Sequence, residues 1–253
     1  MGTRGRGGTH ATATHRIGGV HLLHTTELMA GILFIISAPS GSGKSTLVNQ
    51  LRSLVGGLDF SVSYTTRAPR GSEEHAREYH FTTRARFEQM IHAGEFLEWA
   101  EVFGNYYGTA RSALSHAEMA GKDLLLDIDV QGARQVLARM PGAVSLFILP
   151  PSPQVLERRL RNRSEAEKVS AEDVIARRLS QASGEVERIW DYRYALVNDV
   201  LDDAVAEMKA IVLHERHTPD AHAELAASCR TCEPSAKLRS ALASFGVGEK
   251  NSV

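Results

Sequence analysis

Residues 38–45 read Ala-Pro-Ser-Gly-Ser-Gly-Lys-Ser, behind an apolar run at 32–36 and ahead of a helix-like stretch at 46–54. Strand, glycine-rich turn ending in Gly43-Lys44-Ser45, and helix form the context that a phosphate-binding loop needs. Successive backbone N–H groups in such a turn point inward and surround phosphate oxygens. The helix that starts there turns its positive dipole end to the anion. Lys44 has the reach to meet the outer phosphates, and the Ser45 hydroxyl can join a Mg²⁺ shell. The usual pattern begins with Gly, and this chain has Ala38 there. A Gly/Ser surface turn with a chance lysine is the plainer alternative, but it leaves the strand-turn-helix context unexplained.

A loop of this kind must be held by a sheet. Apolar runs at 32–36, 124–128, 144–149 and 195–197 read as buried strands of a parallel sheet. Helix-like stretches fall between and after them, at 46–54, 132–139, 153–161, 171–188 and 202–215, with Asp202 as the expected cap of the last. This alternation predicts an α/β layer fold. Section 60–110 breaks it. That section is polar and aromatic, with short strand-like pieces around one helical segment at 84–91, and it reads as an insertion on the core. A second excursion, 158–170, carries Arg158, Arg159, Arg161 and Arg163. A solvated helix face and a nucleic-acid patch are open readings of that cluster; the phosphate loop favours a phosphate-covering lid.

The bulk composition narrows the function class. The chain has 253 residues, of which 43% are hydrophobic, enough for one domain with a real core and tails. Its formal net charge is −1, so no global field draws it to nucleic acid or to a membrane surface. Its two cysteines, Cys229 and Cys232, both lie late in the chain, which excludes a disulfide framework and fits a reducing, cytoplasmic setting. No segment is long enough to span a bilayer. The apolar stretch 28–38 imitates a secretory signal, but cleavage there would delete the strand before the loop. Residues 1–28 hold Arg4, Arg6 and Arg16 and one acid, Glu27, a loosely transit-peptide-like mix; a disordered extension over 1–30, with Met29 as the natural start, is the simpler expectation. The tail, 217–253, suggests a short helix at 236–245 with little packing. Zinc at Cys229 and Cys232 with His217 or His222 lacks a second close ligand pair.

Three further motifs carry a resemblance. Residues 61–81 read Ser-Val-Ser-Tyr-Thr-Thr-Arg-Ala-Pro-Arg-Gly-Ser-Glu-Glu-His-Ala-Arg-Glu-Tyr-His-Phe. Section 95–109 contains Glu-Phe-Leu-Glu-Trp-Ala-Glu-Val-Phe-Gly-Asn-Tyr-Tyr-Gly-Thr, and 126–132 reads Leu-Asp-Ile-Asp-Val-Gln-Gly. In this order behind this loop, the chain closely resembles guanylate kinases from about residue 31 to about residue 216. Ala38 suits the resemblance, because bacterial members commonly carry Ser-Ala-Pro-Ser-Gly there.

The resemblance implies transfer of the γ-phosphoryl group of ATP to GMP, a step of GMP recycling and guanine nucleotide synthesis. It implies a P-loop NTPase core of three layers over 31–216, a GMP-binding insertion at about 61–110 and a mobile lid at about 158–178. ATP would contact Ala38, Pro39, Ser40, Gly41, Ser42, Gly43, Lys44, Ser45 and Thr46, with Arg159, and with Asn198 beside the adenine. Mg²⁺ would arrive with ATP and meet Ser45. Arg67, Arg70, Tyr79 and Tyr107 match the residues that hold the GMP phosphate, and Glu73 is counted with them. Ser63, Glu98, Thr109 and Asp129 match those around the guanine, and Asp127 matches a further carboxylate on the GMP side. Lys44, Arg70, Arg163 and Arg178 form the expected catalytic group. The implied partners are small molecules, with no nucleic acid and no membrane, and a homo-oligomer is left open.

Physical logic supports the assignment. Guanine presents N1–H and N2–H₂ on one edge, and one carboxylate can accept from both, as Glu98 would. Adenine lacks that donor pair, so a buried acid there rejects it. A planar arginine fork suits phosphate better than an ammonium does. The acceptor phosphate is itself the nucleophile, so no general base is named; Lys44, Mg²⁺ and lid arginines would neutralise charge on the moving phosphoryl group. Departures from the family pattern also stand out. Ala76 replaces a usual Gly, Gly71-Ser72-Glu73 replaces Pro-Gly-Glu, and the lid between Arg163 and Arg178 is about four residues longer than in many relatives. Two rivals remain: a non-catalytic guanylate-kinase-like interaction module, which the intact Lys44 and Ser45 argue against, and a kinase for another nucleoside monophosphate, which Glu98 and Asp129 argue against.

Overall fold

The computed structural model describes residues 31–166, 172–218 and 222–248, with the side chains of 163–166 outside that set. The expected disordered extension over 1–30 and the lid segment 167–171 fall outside the described residues.

The central sheet has five parallel strands in the order β2-β7-β1-β8-β9. They are β1 (Leu33–Ser37), β2 (Leu58–Phe60), β7 (Asp123–Asp127), β8 (Val144–Leu149) and β9 (Tyr194–Val197). Side chains of β1 and β8 are buried on both faces, which is why these runs read as continuous apolar segments. Strand alternation then sorts them. Leu33, Ile35, Leu126, Phe147 and Val197 face one apolar layer; Phe34, Ile36, Leu125, Ile148 and Leu196 face the other. Helices α1 (Lys44–Leu54) and α7 (Leu201–Glu215) cover the second layer, and α3 (Arg111–Met119) and α4 (Val130–Arg139) the first. The result is the three-layer α/β core that the strand and helix alternation predicts. Asp202 is not the cap of α7. Val200 holds that position without a side-chain bond, and Asp202 lies in the first turn, where its charge still complements the helix dipole.

The insertion forms a second sheet, β4-β3-β6-β5, from β3 (Tyr64–Thr65), β4 (His80–Phe81), β5 (Phe96–Val102) and β6 (Asn105–Ala110), with α2 (Arg84–His92) packed on it through Phe87 and Met90. The loop before β4 turns at Ala76, which adopts φ 65°. A non-glycine residue in this left-handed region is strained by roughly 1–2 kcal/mol. Ala76→Gly is therefore expected to raise stability by about 0.5–1 kcal/mol, after the added unfolded-state entropy of glycine is subtracted. Urea unfolding measures this; a destabilised variant would show that the loop does not hold Ala76 at positive φ.

The tail contradicts the expectation of little packing. Helix α8 (Ala223–Ala227) and Cys229 pack into the layer under α1 and α7. Residues 229–231 then run along the β9 edge, where Ala195 N–H donates to the Cys229 carbonyl at 2.8 Å and Thr231 N–H to the Arg193 carbonyl at 3.1 Å. Helix α9 (Ala236–Ser244) follows on the opposite face, burying Leu238, Ala241 and Leu242. The tail thus wraps the exposed edge of the parallel sheet and closes it to further pairing. Its removal would uncover apolar surface on both faces of the sheet. Burial pushes the Cys229 thiol up to about 12, while Cys232 is exposed, and no cluster of three metal-ligating side chains occurs among the described residues. No helix among them is long and apolar enough to cross a membrane.

Candidate active site

The C-terminal ends of β1 and β7, the insertion sheet and two helices, α5 (Pro153–Ala166) and α6 (Glu172–Val186), enclose a cavity of 510 Å³, the size class of small-molecule sites. Its floor is the loop from Ala38 to Gly43 running into Lys44, Ser45 and Thr46 at the start of α1. Lys44 Nζ forms an ion pair with Asp127 and lies 3.4 Å from the Ile128 carbonyl. Burial opposes the ammonium, but Asp127 outweighs it and holds the Lys44 pKa above its usual value, so the side chain is charged. The Ser42 hydroxyl is buried in this cradle without a protein partner, the condition of a donor awaiting a polar ligand.

The loop is braced from behind. The Ser42 carbonyl accepts from Asn198 Nδ2 at 2.7 Å and from Arg159 Nη1 at 3.3 Å, and Arg159 Nη2 also donates to the Asn198 carbonyl at 3.0 Å. Asn198 does not line the cavity, and its buried amide is committed to this brace.

The opposite wall is β5 and β6. A bulge between Phe96 and Glu98 resets the strand register. Such a bulge re-aims the side chains that follow it. Phe96 stays on the apolar face, stacked on Phe87 at 4.4 Å between ring centroids. Glu98, paired with Thr109, turns to the cavity face with Ala100 and Tyr107. Glu98 is 3% exposed. Burial pushes its pKa up to about 7; Thr109 beside it opposes the rise, and the Asp129 charge adds to it. Space for this carboxylate exists because residue 132 is glycine: a Cβ there would sit 2.3 Å from Glu98 Oε2. Asp129 caps α4, accepting from Gly132 N–H at 2.8 Å, so one of its oxygens is already engaged while the side chain still lines the cavity.

Between the two walls stand Ser63, Arg70, Tyr79 and Arg178. Tyr79 and Tyr107 meet edge to face at 5.9 Å. Burial, reinforced by Asp127, raises the Tyr79 pKa, so the hydroxyl stays protonated as a donor. Arg67 and Glu73 do not line the cavity. Arg67 Nη2 donates to Glu73 Oε1 at 3.0 Å, Glu73 Oε2 accepts from Arg70 N–H at 2.8 Å, and the Arg67 guanidinium lies over the Tyr79 ring at 5.3 Å. A carboxylate here fills the fork that would otherwise be offered to a phosphate, and Thr109 lies buried behind Glu98. Arg163 sits on α5 with its side chain outside the described residues.

Two cavity residues escape a motif-based reading, Gln181 and Glu185. Gln181 Nε2 donates to Glu185 Oε1 at 3.0 Å, and burial pushes the Glu185 pKa up to about 7. The signal was present in the spacing: Arg178, Gln181 and Glu185 fall at i, i+3 and i+7 and share one face of α6. The neighbouring Arg177 lies 5.0 Å over the Phe103 ring at the β5–β6 turn, so the lid helix touches the insertion.

The chain that builds this cavity has known relatives. A family model described as guanylate kinase matches residues 31–215. The chain belongs to the guanylate kinase family. A guanylate kinase of Koribacter versatilis is 57% identical over 188 residues, 74% of this chain and 80% of that protein. One from Geobacter metallireducens is 48% identical over 186 residues, 74% of this chain and 90% of the other. The crystal structure of guanylate kinase from Anaplasma phagocytophilum superposes with TM-score 0.61 at 31% identity, over 76% of this chain and 89% of that one. Family membership thus rests on the segment that builds the cavity, and the match ends before the tail.

Proposed function

We infer that this guanylate kinase transfers the γ-phosphoryl group of ATP to a phosphate oxygen of GMP, giving ADP and GDP. The observation that carries the reading is the pairing within one cavity of a phosphate loop bearing Lys44 with the buried acid Glu98 on the facing wall. ATP would place its phosphates in the loop, where Lys44 exchanges Asp127 for the outer phosphate oxygens. The Ser42 hydroxyl and loop N–H groups would complete the cradle. GMP would enter from the insertion side, its base on Glu98 and Ser63 and its phosphate on Arg70, Tyr79 and Tyr107. Arg67 would join them by releasing Glu73. A bond forms from the GMP oxygen to the γ-phosphorus as the bridging bond to ADP breaks, with no protein nucleophile. Arg159, Arg163 and Arg178 would meet the transferring charge from the lid.

Mg²⁺ is the proposed metal. Ser45 and Asp127 supply the hard oxygen donors it takes, few in number because substrate phosphates and water complete its shell. When bound, it would neutralise charge between the β- and γ-phosphates. The proposed setting is the cytoplasm, where both nucleotides are at hand.

The purified full-length chain, assayed with ATP, Mg²⁺ and each of GMP, AMP, CMP and UMP, tests this. GMP is expected to be preferred over AMP by about 10³-fold or more, the order reached by sites that pair a buried polar edge. Comparable rates with AMP would count against Glu98 as the reader of the base.

A pH dependence follows from the same side chain. Only the ionised carboxylate accepts from both N1–H and N2–H₂. With its pKa near 7 in the free protein, Glu98 must lose a proton to bind guanine in acid solution. Below that value the preference for GMP over IMP should shrink as pH falls, by at most about tenfold per pH unit, because IMP keeps the N1–H bond and loses less. Both ligands carry the same phosphate, so its own titration cancels in the ratio. Binding calorimetry from pH 5.5 to 8.5 measures it, and a ratio independent of pH would remove Glu98 from base recognition.

A further inference from the structure

The family match ends at residue 215, yet the chain beyond it reaches an apolar cluster that abuts the phosphate loop. Helix α9 anchors in the core through Leu238, Ala241 and Leu242, and Phe245 follows at its C-cap. The spacing 238, 241, 242, 245 puts all four on one helix face. Phe245 differs from the other three. Among the described residues it alone packs against two separate apolar clusters: the core layer, and a small cluster of Leu156, Leu160 and Ala182 at the base of α5 and α6. The neighbouring Ser244 hydroxyl, which donates to the Ala241 carbonyl at 2.6 Å, lies 3.4 Å from the Pro151 carbonyl, just before α5 begins.

That small cluster lies directly beneath the phosphate loop. A Cβ added at Gly41 would sit 3.0 Å from methyl carbons of both Leu156 and Leu160. Arg159, between them in sequence, braces the Ser42 carbonyl, and Arg178 projects from α6 into the cavity. Packing therefore runs from the core, through Phe245, to the cluster of Leu156, Leu160 and Ala182, whose two leucines abut Gly41. Close-packed interiors transmit displacement along such a path. The geometry of phosphoryl transfer is intolerant of it, since a misplacement of about 1 Å can cost 10²-fold in rate.

We propose that Phe245 is a positioning residue for the ATP half of the active site: it wedges the base of the lid helices against the core and so sets the phosphate loop and the lid arginines. The proposal rests on the guanylate kinase reading above. The tail is then a third support of the site, added outside the part of the chain that relatives share.

The test is a graded series, Phe245→Leu and Phe245→Ala, beside Leu238→Ala. Leu238 lies on the same helix face and is buried in the core cluster, but it does not touch the cluster beneath the loop. Steady-state rates are measured well below each melting temperature, with GMP affinity by calorimetry in the absence of ATP. Phe245→Ala should raise the KM for ATP and lower kcat, together about 10- to 100-fold in kcat/KM for ATP. Phe245→Leu should recover most of that, and GMP affinity should stay within about twofold for both, because the cluster under Phe245 holds no residue of the insertion. Leu238→Ala should lower the melting temperature and leave ATP kinetics at wild-type values. Should Phe245→Ala fail to fold, Phe245→Leu decides by the same ATP readout. Wild-type ATP kinetics across the series, or an equal ATP defect in Leu238→Ala, overturns the proposal. A wild-type chain without GMP phosphorylation would instead sink the reading beneath it.

Discussion

Lys44→Ala should reduce turnover by about 10³-fold, the upper range for removing one preorganised charge from a transition state, while GMP affinity changes by no more than a few-fold. The side chain opens α1 at the floor of the cavity and is held charged by Asp127 despite its burial. In the free protein that ion pair keeps the ammonium aimed at the place where the outer phosphates would lie. Charge on the transferring phosphoryl group spreads over its oxygens, so the ammonium gains most at the transition state. Its removal deprives Asp127 of its cation but leaves Glu98, Ser63 and Tyr107 untouched on the opposite wall. Calorimetry with GMP alone, beside a coupled assay for ADP, separates the two roles. If GMP affinity fell as far as the rate, Lys44 would belong to the acceptor site rather than to the ATP phosphates.

Glu98→Gln should lower kcat/KM for GMP by roughly 30- to 1000-fold, as expected for about 2–4 kcal/mol lost when a charge-assisted bond is replaced by opposed donors. IMP lacks the N2 amine and has less to lose, so the GMP-to-IMP preference should shrink, with the KM for ATP near wild type. Equal losses for GMP and IMP, or a defect mainly in ATP use, would move base recognition to Asp129. The same substitution should stabilise the free protein. The Glu98 carboxyl is held at about 7 by burial, against an ordinary 4.5. The folded state therefore binds the proton more tightly than the unfolded state does. The wild-type chain carries no penalty below about pH 4.5, loses stability as pH rises from there to about 7, and bears the full cost above it. That cost is about 3 kcal/mol, from a shift of this size at 1.36 kcal/mol per unit. Gln, which is never charged, avoids it, so the gain should be present at pH 8 and absent at pH 4 in urea unfolding. In the proposed role, base recognition and stability are opposed at this position because the acid would have to be ionised where the fold favours it neutral.

The local record of this chain was legible at the level of single segments. Strands 144–149 and 195–197 are apolar because both faces of the sheet are covered, and that pattern needs no partner to be read. Gly43-Lys44-Ser45 announces its chemistry because the loop geometry is built from adjacent residues. The strain at Ala76 was likewise foreseeable, since a usual glycine position occupied by alanine points to a positive φ, and φ is 65°.

What depended on residues distant in sequence could not be read this way. Asn198 matched a position beside adenine, but the fold spends its amide on the Ser42 carbonyl, 156 residues away. Arg67 and Glu73 read as two ligand contacts and are joined to each other. Glu98 reads as an ordinary acid; its pKa near 7 comes from burial, with the Asp129 charge adding to it, and that burial arises only when β5 packs on α4 beside Gly132. The tail shows the difference most plainly. Its helix at 236–245 was visible as a pattern, yet a nine-residue helix carries too little apolar surface to declare a docking site. Sequence alone determined the kind of chemistry, because a phosphate loop and the acid proposed to read guanine are local choices of residue type. Tertiary structure decided which charges are paired, which acid is protonated and what supports the loop, because burial and electrostatic coupling are properties of the packed neighbours rather than of the residue.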